Sequence, residues 1–168
     1  MKRCCIVEGP DGSGKTTLAK ALAEKTGLPY RHFGPPGPGD LVQEYREAIV
    51  AGGIIDRLAL SERVYGPLLR GSDRVGYMGW REIQARAAEA GVVQVVCLPP
   101  PEDAYLAWSR RMAAGDELLA TPAAFWEVYA RFAWWARNVP GAVVYDWTRR
   151  WAGEVAASLV RSLKEDEE

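Results

Sequence analysis

The sequence predicts an α/β protein, a five-stranded parallel sheet with helices on both faces. Three observations carry this. Short strand-like runs at 4–7, 30–33, 54–55, 92–98 and 142–145 alternate with segments of helical periodicity along the whole chain. The run at 92–98 is almost wholly apolar, the pattern of a strand covered on both faces. No linker, repeat or low-complexity block divides the 168 residues, so one domain over 1–168 is expected.

The first run, Cys4-Cys5-Ile6-Val7, leads into Gly9-Pro10-Asp11-Gly12-Ser13-Gly14-Lys15-Thr16, which fits the phosphate-binding pattern G-x-x-x-x-G-K-[ST] without a gap. Leu18, Leu22 and the alanines between them then repeat at helical spacing, with Lys20, Glu24 and Lys25 left for solvent. Strand, glycine loop and helix start is the order that the motif's chemistry needs. The glycines let backbone N–H groups turn inward onto phosphate oxygens, and the positive end of the helix dipole favours the same anion. Lys15 can reach the β- and γ-phosphates of ATP, and the Thr16 hydroxyl can bind Mg²⁺. The expected ATP-binding set is Gly9, Asp11, Gly12, Ser13, Gly14, Lys15, Thr16 and Thr17. Joined to the alternation of elements, the motif predicts a three-layer P-loop NTPase sandwich with strand order 2-3-1-4-5.

The remaining elements follow from local signals. Gly27 and Pro29 close the first helix, and Tyr30-Arg31-His32-Phe33 reads as the second strand. Residues 34–39 hold too many glycines and prolines for regular structure. Asp40 suits a helix N-cap, and Gly52-Gly53 ends that helix near position 50. Ile54-Ile55 is a short strand ending on Asp56-Arg57, two charges at the carboxyl edge of the sheet where α/β proteins bind ligands. Helices are expected over 58–69 despite Pro67, then over 78–90, 102–113 and 121–138, separated by the charged segment 70–76, the strand at 92–98 and a polar break at 115–117. In the helix over 121–138, Phe125, Trp126, Tyr129, Phe132 and Trp135 repeat at helical spacing and are expected in the core. A fifth strand at 142–145 ends on Asp146-Trp147, and a last helix runs into the acidic tail 164–168, expected to fray.

Composition narrows the function classes. A net charge of −1 supplies no general basic field for a nucleic-acid polymer. Cys4, Cys5 and Cys97 lack metal spacing and each falls in an expected strand, so they read as buried free thiols in a reducing compartment. The single histidine, His32, excludes a multi-histidine metal site. No signal peptide is visible, and the run at 92–98 is far too short to span a bilayer.

Two stretches resemble the thymidylate kinase family of P-loop nucleotide kinases. Glu8-Gly9-Pro10-Asp11-Gly12-Ser13-Gly14-Lys15-Thr16-Thr17 is similar to the family's E-G-x-D-G-x-G-K-T-T. Asp56-Arg57-x-x-x-Ser61-x-x-x-Tyr65 is similar to its D-R-x-x-x-S-x-x-A-Y. The size and the abbreviated middle also resemble small nucleotide kinases of bacteriophages. The resemblance implies that Arg57 grips the acceptor phosphate, that Asp56 sits close to the metal and the transferred group, and that Asp11 approaches the acceptor sugar. It places Ser61 and Tyr65 in the acceptor pocket, and Arg110 and Arg111 in a short basic lid around 109–120. Some family members carry an arginine inside the loop; here those positions are Gly12 and Ser13, so a lid arginine is the nearest substitute. The family's acidic-proline turn after the second strand is replaced by Phe33-Gly34-Pro35-Pro36-Gly37, and Gly66 stands where glutamine is common. The residues that usually read thymine are missing before Asp56, which leaves Gln43, Tyr45, Arg46, Arg70 and Arg74 as substitutes.

The expected activity is transfer of the ATP γ-phosphate to a (deoxy)nucleoside monophosphate, with dTMP favoured by the family likeness alone. The competing readings are a kinase for a hydroxyl of a nucleoside or of a modified base in DNA, and a nucleotide-binding protein without turnover. Expected partners are nucleotide substrates, with a homodimer left open and no membrane; the expected location is the cytoplasm of a bacterium or phage-infected host.

Overall fold

The computed structural model describes residues 3–115, 119–139 and 141–162. The acidic tail and positions 116–117 of the expected polar break lie outside the described residues. The chain runs β1 (Cys4–Glu8), α1 (Lys15–Thr26), β2 (Tyr30–His32), α2 (Leu41–Ala51), β3 (Gly53–Asp56), α3 (Ala59–Arg70), α4 (Gly76–Glu89), β4 (Val93–Cys97), α5 (Pro101–Ala113), α6 (Pro122–Ala136), β5 (Val143–Tyr145) and α7 (Ala152–Ser162). The five strands form one parallel sheet in the order β2-β3-β1-β4-β5, as the sequence predicts.

The apolar runs are continuous because both faces of the sheet are covered. Cys4, Ile6, Ile55 and Val96 point to one side, into a core shared with Leu41, Ile49, Val64, Ile83, Trp108, Phe125 and Phe132 from α2 to α6. Cys5, Val7, Ile54, Val95 and Cys97 point to the other, against Leu18 and Leu22 of α1 and Val155 and Ala156 of α7. All three cysteines are buried free thiols. Burial raises each thiol pKa, that of Cys4 to about 12.

Local capping agrees with the sequence. The Asp40 side chain accepts from Gln43 N–H, and that of Thr121 from Ala124 N–H, opening α2 and α6. Gly14 and Gly27 bracket α1 in the left-handed region, at φ 81° and 69°. The aromatic stripe of α6 is a correction in part. Phe125 and Phe132 are fully buried, but Trp126 is 41% exposed, stacked on Tyr105 at 5.1 Å. Its ring covers α5 from outside, since a stripe wider than the buried face must leave one member at the rim. Among the described residues, no helix is long and apolar enough to cross a membrane.

Candidate active site

The carboxyl ends of β1 and β3 lie side by side, with Val7 paired to Asp56, and both strands hand their next residues to one cleft. After β1 the phosphate loop curls through Gly9, Gly12 and Gly14, all at positive φ. Position 12 has no room for a side chain: a Cβ there would lie 2.4 Å from the Ala104 carbonyl oxygen and 2.8 Å from the Trp108 nitrogen. α5 therefore packs straight onto the loop, and no arginine could stand at position 12.

After β3, Arg57 is the one non-glycine residue at positive φ among the described residues, at 72°. The strain is held in place from both sides. Its N–H donates to the Val7 carbonyl at 3.0 Å, and its guanidinium turns back onto the loop, with Nη2 2.6 Å from Asp11 Oδ1. The guanidinium carbon sits 5.0 Å from the Tyr65 ring centroid. Tyr65 closes the circle by accepting from the Asp11 N–H at 3.0 Å.

Glu8 explains how α3 is aimed. The α3 N-terminus has no side-chain cap of its own. Instead the buried Glu8 Oε1 accepts from the N–H groups of Leu58, Leu60 and Ser61, while Oε2 accepts from the Ser61 hydroxyl. Burial raises the Glu8 carboxyl pKa, and these hydrogen bonds only partly oppose it. The sequence showed Glu8 as part of a motif; its role as a cap from another strand needed the fold. Ser61 Oγ is thus spent on Glu8, although Ser61 still lines the cleft.

Lys15 is buried, its Nζ donating to the Pro10 carbonyl at 3.0 Å and lying 3.5 Å from Asp11 Oδ1. Burial lowers its pKa, and the nearby Arg57 charge lowers it further. Burial alone would raise the Asp11 carboxyl, but Lys15 and Arg57 outweigh it and hold Asp11 below the usual carboxylate range. The positive groups of Lys15 and Arg57 converge on Asp11.

Asp56 is fully buried. Its Oδ2 accepts from the Thr16 hydroxyl at 2.7 Å and the Tyr30 hydroxyl at 2.9 Å, and lies 3.2 Å from His32 Nδ1. Burial and Asp56 together raise the Tyr30 pKa to about 12. The sequence did not identify Tyr30 and His32 as neighbours of Asp56; the signal was the β2–β3 register, which pairs Tyr30 with Ile54 and His32 with Asp56 and so puts their side chains on one face. Asp56 Oδ1, Asp11 Oδ2 and Ser13 Oγ are buried with no hydrogen-bond partner, three unspent polar atoms around one loop. A hydroxyl and a carboxylate in contact, one carboxylate oxygen free, fit the hard-oxygen needs of Mg²⁺. Among the described residues there is no cluster of three or more His, Cys, Asp or Glu side chains able to hold a metal by themselves.

Two cavities lie near the loop, the first reached through Arg57 and the second lined by the loop itself. One is lined by His32, Phe33, Tyr45, Arg57, Ser61, Glu62, Tyr65 and Arg70, among others. The second is lined by Gly12, Gly14, Thr17, Arg111 and the indoles of Trp147 and Trp151, among others. Trp147 covers the loop closely enough that a Cβ at Gly14 would meet its ring at 2.9 Å. Neither tryptophan was singled out in the sequence as a site residue. Arg111 lines this cavity, whereas Arg110, one position earlier on α5, does not.

Several expected acceptor residues are placed elsewhere. The Arg74 guanidinium donates to the carbonyls of Gly37 and Gly39 at 2.5 and 2.6 Å, which staples two loops together outside the cleft. Gln43 bonds Glu47 along α2 and Arg46 pairs with Glu82 across to α4, away from the cleft. Tyr45 and Arg70 do line the cleft; Asp11 does not, being covered by Arg57.

No family model matches the chain, and no curated protein sequence matches it. Solved structures do. The YorR protein of Bacillus subtilis in complex with phosphorylated GDP is similar at a TM-score of 0.80 and 16% identity, over 97% of this chain and 96% of that one. Deoxyadenosine kinase from M. mycoides with bound dCTP is similar at 0.60 and 13% identity, over 96% and 100%. A gluconokinase from Sinorhizobium meliloti is similar at 0.61 and 16% identity, over 99% and 98%. At these identities the likeness shows a fold shared with P-loop kinases, whose acceptors, by name, already differ.

Proposed function

We propose that this chain transfers the γ-phosphoryl group of ATP to the phosphate of a nucleoside monophosphate. The observation that carries the reading is the placement of Arg57: its guanidinium faces the phosphate loop on one side and the His32–Arg70 cavity on the other. A guanidinium in that position can hold an acceptor phosphate in line with a donor phosphate bound by the loop.

In this reading Lys15 leaves Asp11 for the donor's β- and γ-phosphates, and Arg57 leaves it for the acceptor. Thr16 and Asp56 would hold Mg²⁺, which neutralises charge on the donor phosphates when bound. The indoles of Trp147 and Trp151 offer stacking faces for the donor base, and Arg111 supplies charge from the end of α5. On this single catalytic domain the short lid expected around 109–120, of which 116–118 lie outside the described residues, would serve to exclude water that otherwise takes the phosphoryl group.

A second reading has one observation in its favour. His32 lies against a buried carboxylate at the mouth of the acceptor cavity, an arrangement able to take a proton from a hydroxyl. A panel of nucleoside monophosphates, nucleosides and hydroxymethylated oligonucleotides with labelled ATP separates the readings. Transfer to monophosphates is expected; transfer only to hydroxyl acceptors would replace the first reading by the second.

A further inference from the structure

The loop after β5 gathers its polar groups onto one residue. Asp146 Oδ1 accepts from the Thr148 N–H at 2.9 Å and from the Thr148 hydroxyl at 2.7 Å. The Asp146 carbonyl accepts from the N–H groups of Arg149 and Arg150 at 3.3 and 3.2 Å, and Oδ2 lies 3.3 Å from Arg149 Nε. All three backbone N–H groups between Trp147 and Trp151 are thus spent on Asp146. The two indoles stay in water, Trp147 37% exposed and Trp151 65%. A glycine seats each ring. Trp147 lies over Gly14, and Trp151 lies over Gly153, where a Cβ would come within 2.6 Å of two ring carbons.

Both rings line the cavity that Gly12, Gly14 and Thr17 also line, so flat apolar faces stand beside the phosphate loop. That pairing suits a ligand with a π-face joined to a phosphate chain. The polar side chains in the cavity, among the described residues, are those of Thr17, Arg111 and Tyr145. A hydroxyl can turn to donate or to accept, and every nucleobase offers an acceptor to a guanidinium. None of these groups fixes one base edge, and the N–H groups that could do so are held by Asp146.

We propose that the donor site holds its base by the face and not by the edge, so that the chain takes nucleoside triphosphates of any base as phosphoryl donors. This rests on the donor reading of the indole cavity given above. Every base has a π-face, so stacking discriminates weakly. Purines, with the larger face, rank ahead of pyrimidines, and the hydrogen-bonding edge adds no further distinction. The bond between the γ-phosphorus and the β,γ-bridging oxygen breaks and one to the acceptor phosphate forms. A nucleoside diphosphate leaves, whatever its base.

The test measures Kd for ATP, GTP, CTP, UTP and inorganic triphosphate on the full chain with Mg²⁺ by titration calorimetry. Transfer from each nucleotide to a panel of monophosphates is followed in parallel. ATP and GTP share a face and differ in their edges, as do CTP and UTP. Within each pair the Kd values are expected to agree to about fivefold, and ATP and GTP to bind at least about fivefold more tightly than inorganic triphosphate. Trp147→Ala and Trp151→Ala are each expected to weaken ATP and GTP by about fivefold or more and to leave inorganic triphosphate unchanged, while Trp147→Phe keeps the parent affinity. The far-UV spectrum checks the fold of each variant, and the comparisons on the parent protein stand without them. A larger gap within either pair, a smaller gain over inorganic triphosphate, or unchanged nucleotide affinity in both folded alanine variants overturns the proposal. Even binding without transfer to any monophosphate removes the kinase reading and leaves this one standing; transfer with one base bound far ahead of its pair does the reverse.

Discussion

Arg57 Nη2 lies 2.6 Å from Asp11 Oδ1, and this contact joins the end of β3 to the phosphate loop. Both residues follow the ends of neighbouring parallel strands, so a charge after one strand neutralises a charge after the other. The contact is made by a residue at φ 72°, where a side chain costs about 1–2 kcal/mol. Replacing Arg57 by glycine and by alanine therefore separates strain from function. Both variants are expected to lose about 100-fold or more in acceptor kcat/KM. The glycine variant is expected to be more stable than the alanine variant by about 1 kcal/mol in urea denaturation. Unchanged acceptor kinetics in both would move the acceptor site elsewhere.

Lys15 is buried and its charged form is disfavoured where it stands. Its removal should cost the fold little and the chemistry a great deal. Lys15→Ala is expected to keep its far-UV spectrum and to lose transfer by about 1000-fold. Turnover near that of the parent protein would contradict the role given to the loop.

The depressed Asp11 carboxyl makes a pH prediction. A group whose folded pKa lies below its unfolded value contributes stability above the unfolded pKa, and that contribution disappears as pH falls through the folded one. The stability of the parent protein relative to Asp11→Asn should thus be greatest near neutrality and should shrink as pH drops below about 4. Urea titrations of both proteins at a series of pH values check the slope; a gap that widens in acid would reverse the sign.

Glu8 caps a helix that begins on a different strand. Glu8→Ala leaves the N–H groups of Leu58, Leu60 and Ser61 without their acceptor, while it also removes a buried charge. The net expectation is a loss of about 1–3 kcal/mol, with Glu8→Gln losing less. Because α3 carries Ser61, Glu62 and Tyr65, the acceptor KM should rise as well. A stable Glu8→Ala protein with unchanged KM would show that α3 is aimed by its packing alone.

By itself the sequence determined the order and kind of every element, the parallel sheet, the buried thiols and the phosphate loop. These are written in short-range pattern: strand runs, helical periodicity, caps at Asp40 and Thr121, and eight consecutive loop residues. Only the tertiary structure decided which charges meet. Asp11 with Arg57, Asp56 with Tyr30 and His32, and Glu8 with the start of α3 are contacts between segments distant in the chain, set by strand register and by the turn that each strand end makes. Arg74 shows the same point in reverse, since nothing local distinguishes it from Arg70, yet one staples loops and the other lines the cleft. Side-chain period and capping act within a few residues and are legible in one dimension. The partner of a buried charge is chosen by whichever group the packed sheet brings within hydrogen-bond reach.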